Sequence, residues 1–580
     1  MNLNVSKRKN GRIYLYIEKS YRDKITGKPR KKNVKTLGYV DELEKQYSDP
    51  ITHFREVARQ MTLEEKSSRQ ITLTVDMNED LSMNAEGSKN FGYAVPLKIY
   101  HELGLDQFLK NRSRSEKFEF NANSIMILLV ISRLLSPGSK IKAYNEKSRY
   151  FERFDFSKDD VYRALTYFDK ISNDLQRYLH ESVRMKYECD TSIIYYDVTN
   201  YYFEIKKTDE NRKRGRCKQN RKKPIIQMGL ALDKKGIPLH YELFPGNCLD
   251  KQTFRSVIGE VRKKYDTGRI VVVADMGIIT GDNIYYLTGN KPEKPKNGYV
   301  FSFSVRGGTK AFKSYVLDEK GYTDGSGNLL EDDADFKVKD RITYRDINVT
   351  MESGKIQKKT VYEKQVVFWS KKYYLKARAE RAEMIAKAEA LIARPGEFNK
   401  DTSYGAAAYV KNLEYDKKTG EILNTGKVLY INESKIAEEE KYDGYYSIVT
   451  SELGMSVADI IDTYRGLWEI EETFKITKSD LETRPVYVSE YSHINAHFLT
   501  CFVALTILRL IQQKTDGKYS TAKILECLNK IQCSHEDENI YLFNYRNEMT
   551  DTIGNAFSID FTKKRRTLLE IKKILGNVKI

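Results

Sequence analysis

The spacing of hydrophobic and polar residues changes several times along the 580-residue chain, and each change marks a different kind of predicted element. Within residues 11–40, Ile13, Leu15 and Ile17 alternate with polar or aromatic neighbours, which is the period of a strand. A Thr-Gly-Lys-Pro stretch that follows is a turn signal. This segment predicts a small basic β-ribbon, either as a module that enters a DNA groove or as a surface hairpin of a larger domain.

Residues 41–188 change to apolar positions three and four apart, which predicts a mainly helical region. The longest apolar runs of the chain, 124–132 and 497–508, are shorter than the roughly 20 residues that span a bilayer. Both runs therefore predict buried helices, and we expect no membrane contact.

From residue 190 onward the pattern predicts an α/β region. The predicted strands are 191–204, 224–233, 239–246, 269–275 and 299–305, and the predicted helices are 250–264 and 281–289. Three strands, a helix, a strand, a helix and a strand form the order of an RNase H-like core. Such a core needs one further helix, which the pattern supplies only at about 456–478.

The residues between, 307–446, have a pattern of their own: polar strands around 340–369, a charged helix at 371–393 and hairpin signals at 415–423. The predicted fold class is therefore α/β, an RNase H-like catalytic core split by a β-rich inserted domain, with a helical N-terminal region and a small basic β-ribbon. The predicted domains are 1–40 (basic β-ribbon), 41–188 (helical DNA-binding or assembly region), 189–306 (first part of the core), 307–446 (inserted domain), 447–515 (second part of the core) and 516–580 (C-terminal helical tail).

The net charge of +18 is concentrated in two short segments. Residues 1–35 carry a surplus of 10 basic residues and residues 206–223 a surplus of 8, so the rest of the chain is balanced. Focused basic segments suit a phosphate backbone, although solvated basic loops are the plain alternative. The candidate DNA-binding residues are Lys7, Arg8, Arg12, Lys31 and Lys32 in the first segment and Arg212, Lys213, Arg214 and Arg216 in the second.

The six cysteines are scattered and none forms a Cys-x-x-Cys pair, so the sequence predicts neither a zinc site nor a disulfide framework. This usage fits a reducing compartment, and we expect a cytoplasmic protein.

Three carboxylates occur in settings that suggest chemistry. Asp197 lies inside the predicted strand SIIYYDVTNYYFE, Asp275 ends RIVVVAD, and Glu471 lies in the late helix. Phosphoryl transfer by two metal ions needs hard oxygen ligands that hold the ions about 3.5–4 Å apart. Mg²⁺ keeps several waters and binds few carboxylates, so three acids suffice. The expected cofactor is two Mg²⁺ (or Mn²⁺) ions held by these three residues.

The choice between two adjacent glutamates rests on helical spacing. Tyr464, Glu471 and Lys478 are seven apart and share one face of a continuous helix, which favours Glu471 and places a basic group beside it. Glu472 is the alternative, and an ordinary salt-bridge pattern of Glu471 with Lys475 is the plain interpretation of the same helix.

These residues resemble the catalytic domain of bacterial DDE transposases of the insertion-sequence-four superfamily. The signature of that group is Tyr, two residues, Arg, three residues, Glu, six residues, Lys, and Tyr464, Glu471 and Lys478 match it in register. The arginine of the signature is not at its expected position, which Leu467 occupies here, and Arg465 lies two residues earlier. The resemblance covers about 190–510.

The resemblance implies an enzyme that binds the terminal inverted repeats of its element as double-stranded DNA. It would cut each end to expose a 3′-OH and join that group to target DNA, working as a homodimer that pairs the ends. It further implies phosphate contacts by Tyr464, Arg465 and Lys478. Two other functions stay open from the sequence: a nuclease or resolvase with the same core, and an inactive DNA-binding derivative.

Overall fold

The computed structural model describes residues 1–22, 28–67, 78, 80, 87–205, 207–215, 223–265, 267–290, 295–324, 328, 334–395, 404–415, 422–423, 428–536 and 539–580. These residues form two units, Met1–Ala85 and Glu86–Ile580.

The first unit is a three-stranded antiparallel ribbon followed by helices. Its elements are β1 (Asn2–Lys7), β2 (Ile13–Arg22), β3 (Pro29–Tyr39), α1 (Val40–Leu43) and α2 (Pro50–Ser67). Leu15 and Ile17 of β2 are fully buried, as their alternation predicts. The strands predicted within residues 11–40 are therefore confirmed, and β1 is an additional strand that pairs with β2.

The second unit begins with a short strand and six helices, as the predicted helical region indicates. They are β4 (Lys89–Asn90), α3 (Ala94–Glu102), α4 (Leu105–Ser113), α5 (Ala122–Leu135), α6 (Lys140–Asn145), α7 (Lys158–Lys170) and α8 (Ser172–Lys186). Helix α5 begins where the Asn121 side chain accepts a hydrogen bond from the Ser124 amide, which satisfies one of the free donors of the first turn.

The predicted α/β pattern is confirmed to within a few residues. Its elements are β5 (Ile193–Tyr202), β6 (Ile225–Asp233), β7 (Pro238–Pro245), α9 (Asp250–Lys264), β8 (Val271–Ala274), α10 (Gly281–Thr288) and β9 (Gly298–Phe303). Strands β5, β8 and β9 are parallel neighbours; on the other side of β5, β6 pairs antiparallel with β5 and β7 pairs antiparallel with β6. Alternate residues of β5 pack into two different clusters, so both faces of the sheet are covered.

Two long strands extend this sheet on its other side. The elements of this part of the chain are α11 (Lys310–Leu317), β10 (Phe336–Thr350), β11 (Ile356–Ser370), α12 (Lys371–Ala393), α13 (Tyr404–Ala407), β12 (Val410–Lys411), β13 (Glu414–Tyr415), β14 (Ile422–Leu423), β15 (Tyr430–Ile431), α14 (Glu433–Glu440) and β16 (Tyr445–Thr450). The sheet has the order β10-β11-β16-β9-β8-β5-β6-β7. The hairpin of residues 307–446 is thus continuous with the sheet that carries the two aspartates.

The single helix predicted for about 456–478 is wrong in one respect, because the structure divides it. Helix α15 (Val457–Arg465) and helix α16 (Trp468–Lys475) are separated at Gly466, and a five-residue π-helix, Ile476–Asp480, follows. A Cβ atom at Gly466 would lie 2.0 Å from the hydroxyl of Tyr195, so the glycine permits a close approach to β5. The seven-residue spacing therefore does not by itself place Tyr464, Glu471 and Lys478 on one helical face.

Helix α17 (Tyr491–Lys514) is the apolar helix predicted around 497–508. Its 24 residues make it long and apolar enough to cross a bilayer, but 94% of its most apolar window is buried inside the protein. Helices α3, α5 and α7 pack against it, which makes it the central helix of the larger hydrophobic cluster.

The C-terminal part, predicted as a helical tail, also contains strands. It consists of α18 (Thr521–Lys530), β17 (Gln532–Glu536), β18 (Ile540–Phe543), α19 (Glu548–Phe557), β19 (Arg565–Thr567) and α20 (Leu568–Asn577). Together with β4, the three strands form a four-stranded sheet of order β19-β18-β17-β4. These strands have only three to five residues each, too few to show a clear alternation in the sequence.

Candidate active site

Asp197 and Asp275 are brought together by strand pairing. Strands β5 and β8 are parallel, and Tyr195 pairs with Val273. Each aspartate lies two residues beyond that pair, so both extend from the same face of neighbouring chains about 4.8 Å apart. Asp197 is half-buried within β5, whereas Asp275 is exposed just after the end of β8.

The carboxylate of Asp275 uses its two oxygens differently. Its Oδ1 accepts hydrogen bonds from the Met276 amide (2.7 Å), from the Ser302 hydroxyl (2.7 Å) and from the Tyr464 hydroxyl (3.4 Å). Among the described residues, no hydrogen bond reaches Oδ2. One oxygen is therefore fixed by the protein, and the other is open at an exposed position.

Tyr464 connects Asp275 to a second tyrosine. The Tyr464 hydroxyl lies 2.9 Å from the hydroxyl of Tyr446, which is on strand β16. Burial, followed by the closeness of Tyr446 and Asp275, raises the pKa of Tyr464 far above its ordinary value. The phenol keeps its proton at neutral pH and donates it to Asp275, so in this structure the Tyr464 hydroxyl serves a carboxylate.

Helices α15 and α16 cross the same sheet face. Helix α15 packs against β8, β9 and β16, and α16 packs against β5. In the π-helix that follows α16, the Lys478 ammonium donates to the hydroxyl of Thr199, two residues beyond Asp197. The positive charge of Lys478 is thereby held beside the aspartates.

The adjacent glutamates have different surroundings. Glu472 forms an ion pair with Arg509 (3.2 Å), whose side chain is buried and also contacts Glu469. Glu471 is exposed and forms no hydrogen bond or ion pair with another described residue. Glu472 is therefore occupied in packing α16 against α17, and Glu471 is the glutamate available to an external ligand.

The donor set fits a divalent metal ion in part. The open oxygen of Asp275 and the facing Asp197 are hard ligands of the kind Mg²⁺ prefers. However, nowhere in the described parts of the chain do three His, Cys, Asp or Glu side chains lie close enough together to hold a metal ion. The two aspartates are paired by the sheet, and Glu471 stands on a separate helix.

The basic residues of the N-terminal unit divide into two groups. Arg12 is held by Asp41 (2.8 Å) and Glu42 (2.5 Å), and Lys31 is held by Glu18 (2.5 Å). Because Arg12 donates hydrogen bonds to Asp41 and Glu42, its pKa is raised above its already high ordinary value. The candidates Lys7, Arg8 and Lys32 are exposed and form no ion pair with another described residue.

The second basic segment is only partly described. Arg212 pairs with Asp209 at 2.5 Å and is mostly buried against the Phe203 ring. Lys213 bridges to Ile225 through its backbone, and Arg214 is exposed. Arg216 lies outside the described residues. Arg465, the displaced arginine of the helix, is exposed and pairs with Asp462 at 3.2 Å.

Comparison with known families identifies the group of proteins to which this chain belongs. The family described as the transposase DDE domain matches residues 190–507, more than half of the chain, and this range contains all three carboxylates. The chain belongs to the DDE transposases. The N-terminal domain of IS1634 family transposases matches residues 3–70 as well. The protein is thus an insertion-sequence transposase, a metal-dependent enzyme of DNA transposition.

One solved structure similar to the transposase is the piggyBac transposase in a cryo-EM synaptic complex with hairpin DNA. The identity is 8%, the alignment covers 84% of each chain, and the TM-score of 0.30 is too low to carry a conclusion. Comparison with curated proteins finds no match.

Three residues around the transposase site were missed by the sequence interpretation. Ser302 and Tyr446 reach the site through pairing of β9 with β8 and β16, and Arg509 reaches α16 from α17. The sequence carried one usable signal, an arginine within the apolar run of α17. Ser302 and Tyr446 had no signal, because strand neighbours distant in sequence decide their positions.

Proposed function

We propose that this transposase binds the terminal inverted repeats of its element, cleaves DNA at the element ends and joins the freed 3′-OH to target DNA. Asp197, Asp275 and Glu471 hold two Mg²⁺ (or Mn²⁺) ions for these steps. Membership of the DDE family supports a metal-dependent DNA reaction. The observation that carries the assignment of residues is that Asp197 and Asp275 each follow by two residues the Tyr195–Val273 pair of the parallel strands β5 and β8.

The fold proposed for the catalytic part is RNase H-like. Five strands in the order β7-β6-β5-β8-β9, with β5, β8 and β9 parallel, support this assignment. Residues 307–446 act as an inserted domain whose hairpin continues the sheet. The insertion-sequence-four superfamily remains our proposal for the group, on the basis of the spacing of Tyr464, Glu471 and Lys478.

Each residue has a separate role at the scissile phosphate. When bound, the metal ions activate the attacking water or 3′-OH and stabilise the leaving oxygen. Lys478, which is held beside Asp197 by Thr199, contacts a phosphate. Tyr464 and Arg465 lie on the same side of the sheet and line the path of the DNA. Arg465 pairs with the exposed Asp462, and because such an ion pair contributes little free energy, a phosphate can replace it.

The basic segments hold DNA away from the reacting end. In the N-terminal unit, Lys7, Arg8 and Lys32 make the direct phosphate contacts, while Arg12 and Lys31 are occupied by carboxylates and stabilise the ribbon. Lys213 and Arg214 extend the basic surface after β5, and Arg212 anchors that segment to Phe203. Arg216 follows them in the sequence and is proposed as a further phosphate contact. The enzyme acts in the bacterial cytoplasm as a homodimer on paired ends.

The test uses purified protein, Mg²⁺ and labelled double-stranded DNA that carries the element end and a target duplex. We expect metal-dependent strand cleavage and joining by the wild type, and loss of both in Asp197→Ala and Asp275→Ala. DNA binding without metal should persist in both variants, because the aspartates do not neutralise phosphates.

Two outcomes separate the alternatives. Cleavage without joining by the wild type would make the enzyme a nuclease. Binding without cleavage on paired ends would place it among inactive DNA-binding derivatives.

A further inference from the structure

Asp275 is surrounded by hydroxyl groups, and those of Ser302 and Tyr446 belong to no sequence motif identified in the chain. We infer that Ser302, Tyr464 and Tyr446 form a positioning network that turns the free Oδ2 of Asp275 toward the metal. The inference rests on the proposed function, since it takes Asp275 as a metal ligand. Ser302 and Tyr446 act through Asp275 and Tyr464, so they are positioning residues that touch neither metal nor DNA.

The direction of the network follows from hydrogen-bond chemistry. A carboxylate only accepts hydrogen bonds, so both hydroxyls that reach Oδ1 are donors. Since the proton of Tyr464 points to Asp275, its oxygen accepts from Tyr446 at 2.9 Å. The chain of donors thus runs from Tyr446 through Tyr464 to Asp275, with Ser302 joining at the same oxygen.

The network is set by rigid strands. Ser302 is fully buried on β9, whose residue Phe301 pairs with Ala274 of β8, directly before Asp275. Tyr446 is fixed on β16, which pairs with β9. Three neighbouring strands, together with α15, which carries Tyr464, therefore determine the rotation of one carboxylate at an exposed strand end.

This arrangement has a chemical consequence. Three donors on Oδ1 oppose rotation of the carboxylate and leave a single oxygen as the ligand. Groups that hold a metal ligand in this way commonly alter metal affinity 10- to 100-fold when they are removed. Removal of the distal Tyr446 hydroxyl leaves every carboxylate in place, so its effect must pass through the network.

The strand supplies a matched control. Tyr445 is adjacent to Tyr446 but faces the other side of the sheet, where its hydroxyl donates to Glu319 at 3.1 Å. Tyr445→Phe and Tyr446→Phe remove the same atom from neighbouring positions of β16. Ser302→Ala and Ser302→Thr form a second pair, because threonine keeps the donor and alanine loses it.

The experiment measures Mn²⁺ binding directly, by the electron paramagnetic resonance signal of free Mn²⁺ during titration of the full-length protein. Thermal unfolding of each variant is recorded alongside. We expect the Mn²⁺ dissociation constant of Tyr446→Phe to rise roughly 10-fold over the wild type. Tyr445→Phe should bind Mn²⁺ like the wild type. Ser302→Ala should weaken binding, and Ser302→Thr should restore most of it.

The outcomes distinguish this inference from the proposed function. If Asp275→Ala binds Mn²⁺ as tightly as the wild type, the metal site itself is wrong. If Asp275→Ala loses Mn²⁺ but Tyr446→Phe does not differ from Tyr445→Phe, the network has no positioning role and only this inference is overturned. A loss of Mn²⁺ affinity that follows a lowered melting temperature in both tyrosine variants would also overturn it.

Discussion

Asp197 and Asp275, 78 residues apart in the chain, each lie two residues beyond the pair of Tyr195 and Val273 that joins the parallel strands β5 and β8. Parallel neighbours keep such a register through backbone hydrogen bonds alone. The sheet therefore brings two of the three carboxylates together independently of any metal. The third has to come from the helices that cross above them.

Substitution of the two neighbouring glutamates should give opposite phenotypes. Glu471→Gln removes a charge that no described residue uses, so DNA cleavage should fall by at least 100-fold with little change in melting temperature. Glu472→Gln deprives the buried Arg509 of one carboxylate, so it should lower the melting temperature while cleavage persists. The assays are cleavage of labelled end DNA and calorimetry. Cleavage lost only in Glu472→Gln would transfer the ligand role to that residue.

The N-terminal ribbon should show its DNA contacts in salt dependence. Lys32→Ala removes an exposed ammonium that forms no ion pair with another described residue, so the slope of log affinity against log salt should fall by about 1. Arg59→Ala in α2, whose side chain already lies near Glu56, serves as the control and should leave the slope unchanged. Binding is measured by fluorescence anisotropy between 50 and 300 mM salt, roughly the range where such slopes are steep. Equal slopes in all three proteins would remove Lys32 from the interface.

Gly466 should tolerate no side chain. A Cβ there would lie 2.0 Å from the Tyr195 hydroxyl and 2.6 Å from its ring, so Gly466→Ala should lower the free energy of unfolding by about 1–3 kcal/mol. Gly576→Ala is the matched helical control, since nothing lies within 4 Å of its added Cβ. Chemical denaturation measures both. A Gly466→Ala protein as stable as the wild type would show that α16 can shift away from β5.

The junction between the inserted segment and the sheet should depend on one buried carboxylate. Asp443 accepts from Arg381 at 2.7 Å and from Arg306 at 3.3 Å, and both Asp443 and Arg381 are buried. Asp443→Ala leaves the buried Arg381 with the more distant Glu440 (3.4 Å) as its carboxylate partner and should cost about 3 kcal/mol of unfolding free energy. Asp335→Ala breaks an exposed pair with Lys371 and should cost at most about 1 kcal/mol. Similar losses in the two variants would contradict the difference in burial.

Stability should rise with pH because of Lys140. The side-chain nitrogen of Lys140 lies 3.2 Å from Nδ1 of His497. Burial, and then the nearby charge of Arg133, lower the pKa of Lys140 from 10.5 to about 7. Between these values the unfolded chain binds a proton that the folded protein does not, so the free energy of unfolding increases with pH. The slope from this group is at most about 1.4 kcal/mol per pH unit.

The matched variant is Lys140→Met, which has no titrating group. The advantage of the variant over the wild type should shrink as the pH rises from 7 toward 10. Urea denaturation at several pH values measures this difference, and parallel curves for the two proteins would contradict the prediction.

The sequence predicted the sheet well and the site only in part. Continuous apolar runs such as RIVVVAD predict a buried strand, so β8 and its neighbours could be placed within a few residues. The division of the late helix at Gly466 could not be predicted, because it depends on contact with Tyr195 on a strand about 270 residues earlier. The roles of Ser302 and Tyr446 could not be predicted for the same reason, because their contacts with the site depend on which strands pair with their own.

The pairing of β4 with β17 has a consequence for synthesis. Lys89 and Cys533 are partners, 444 residues apart, and Asn90 donates to backbone carbonyls at the end of α18. At a translation rate of about 5–20 residues per second, the early strand waits roughly 20–90 s for its neighbour to leave the ribosome. During that interval Phe91, fully buried in the finished protein, is without its contact to Phe543. Nascent chains that stop before residue 532 would therefore expose an unpaired edge and become substrates for chaperones and proteases.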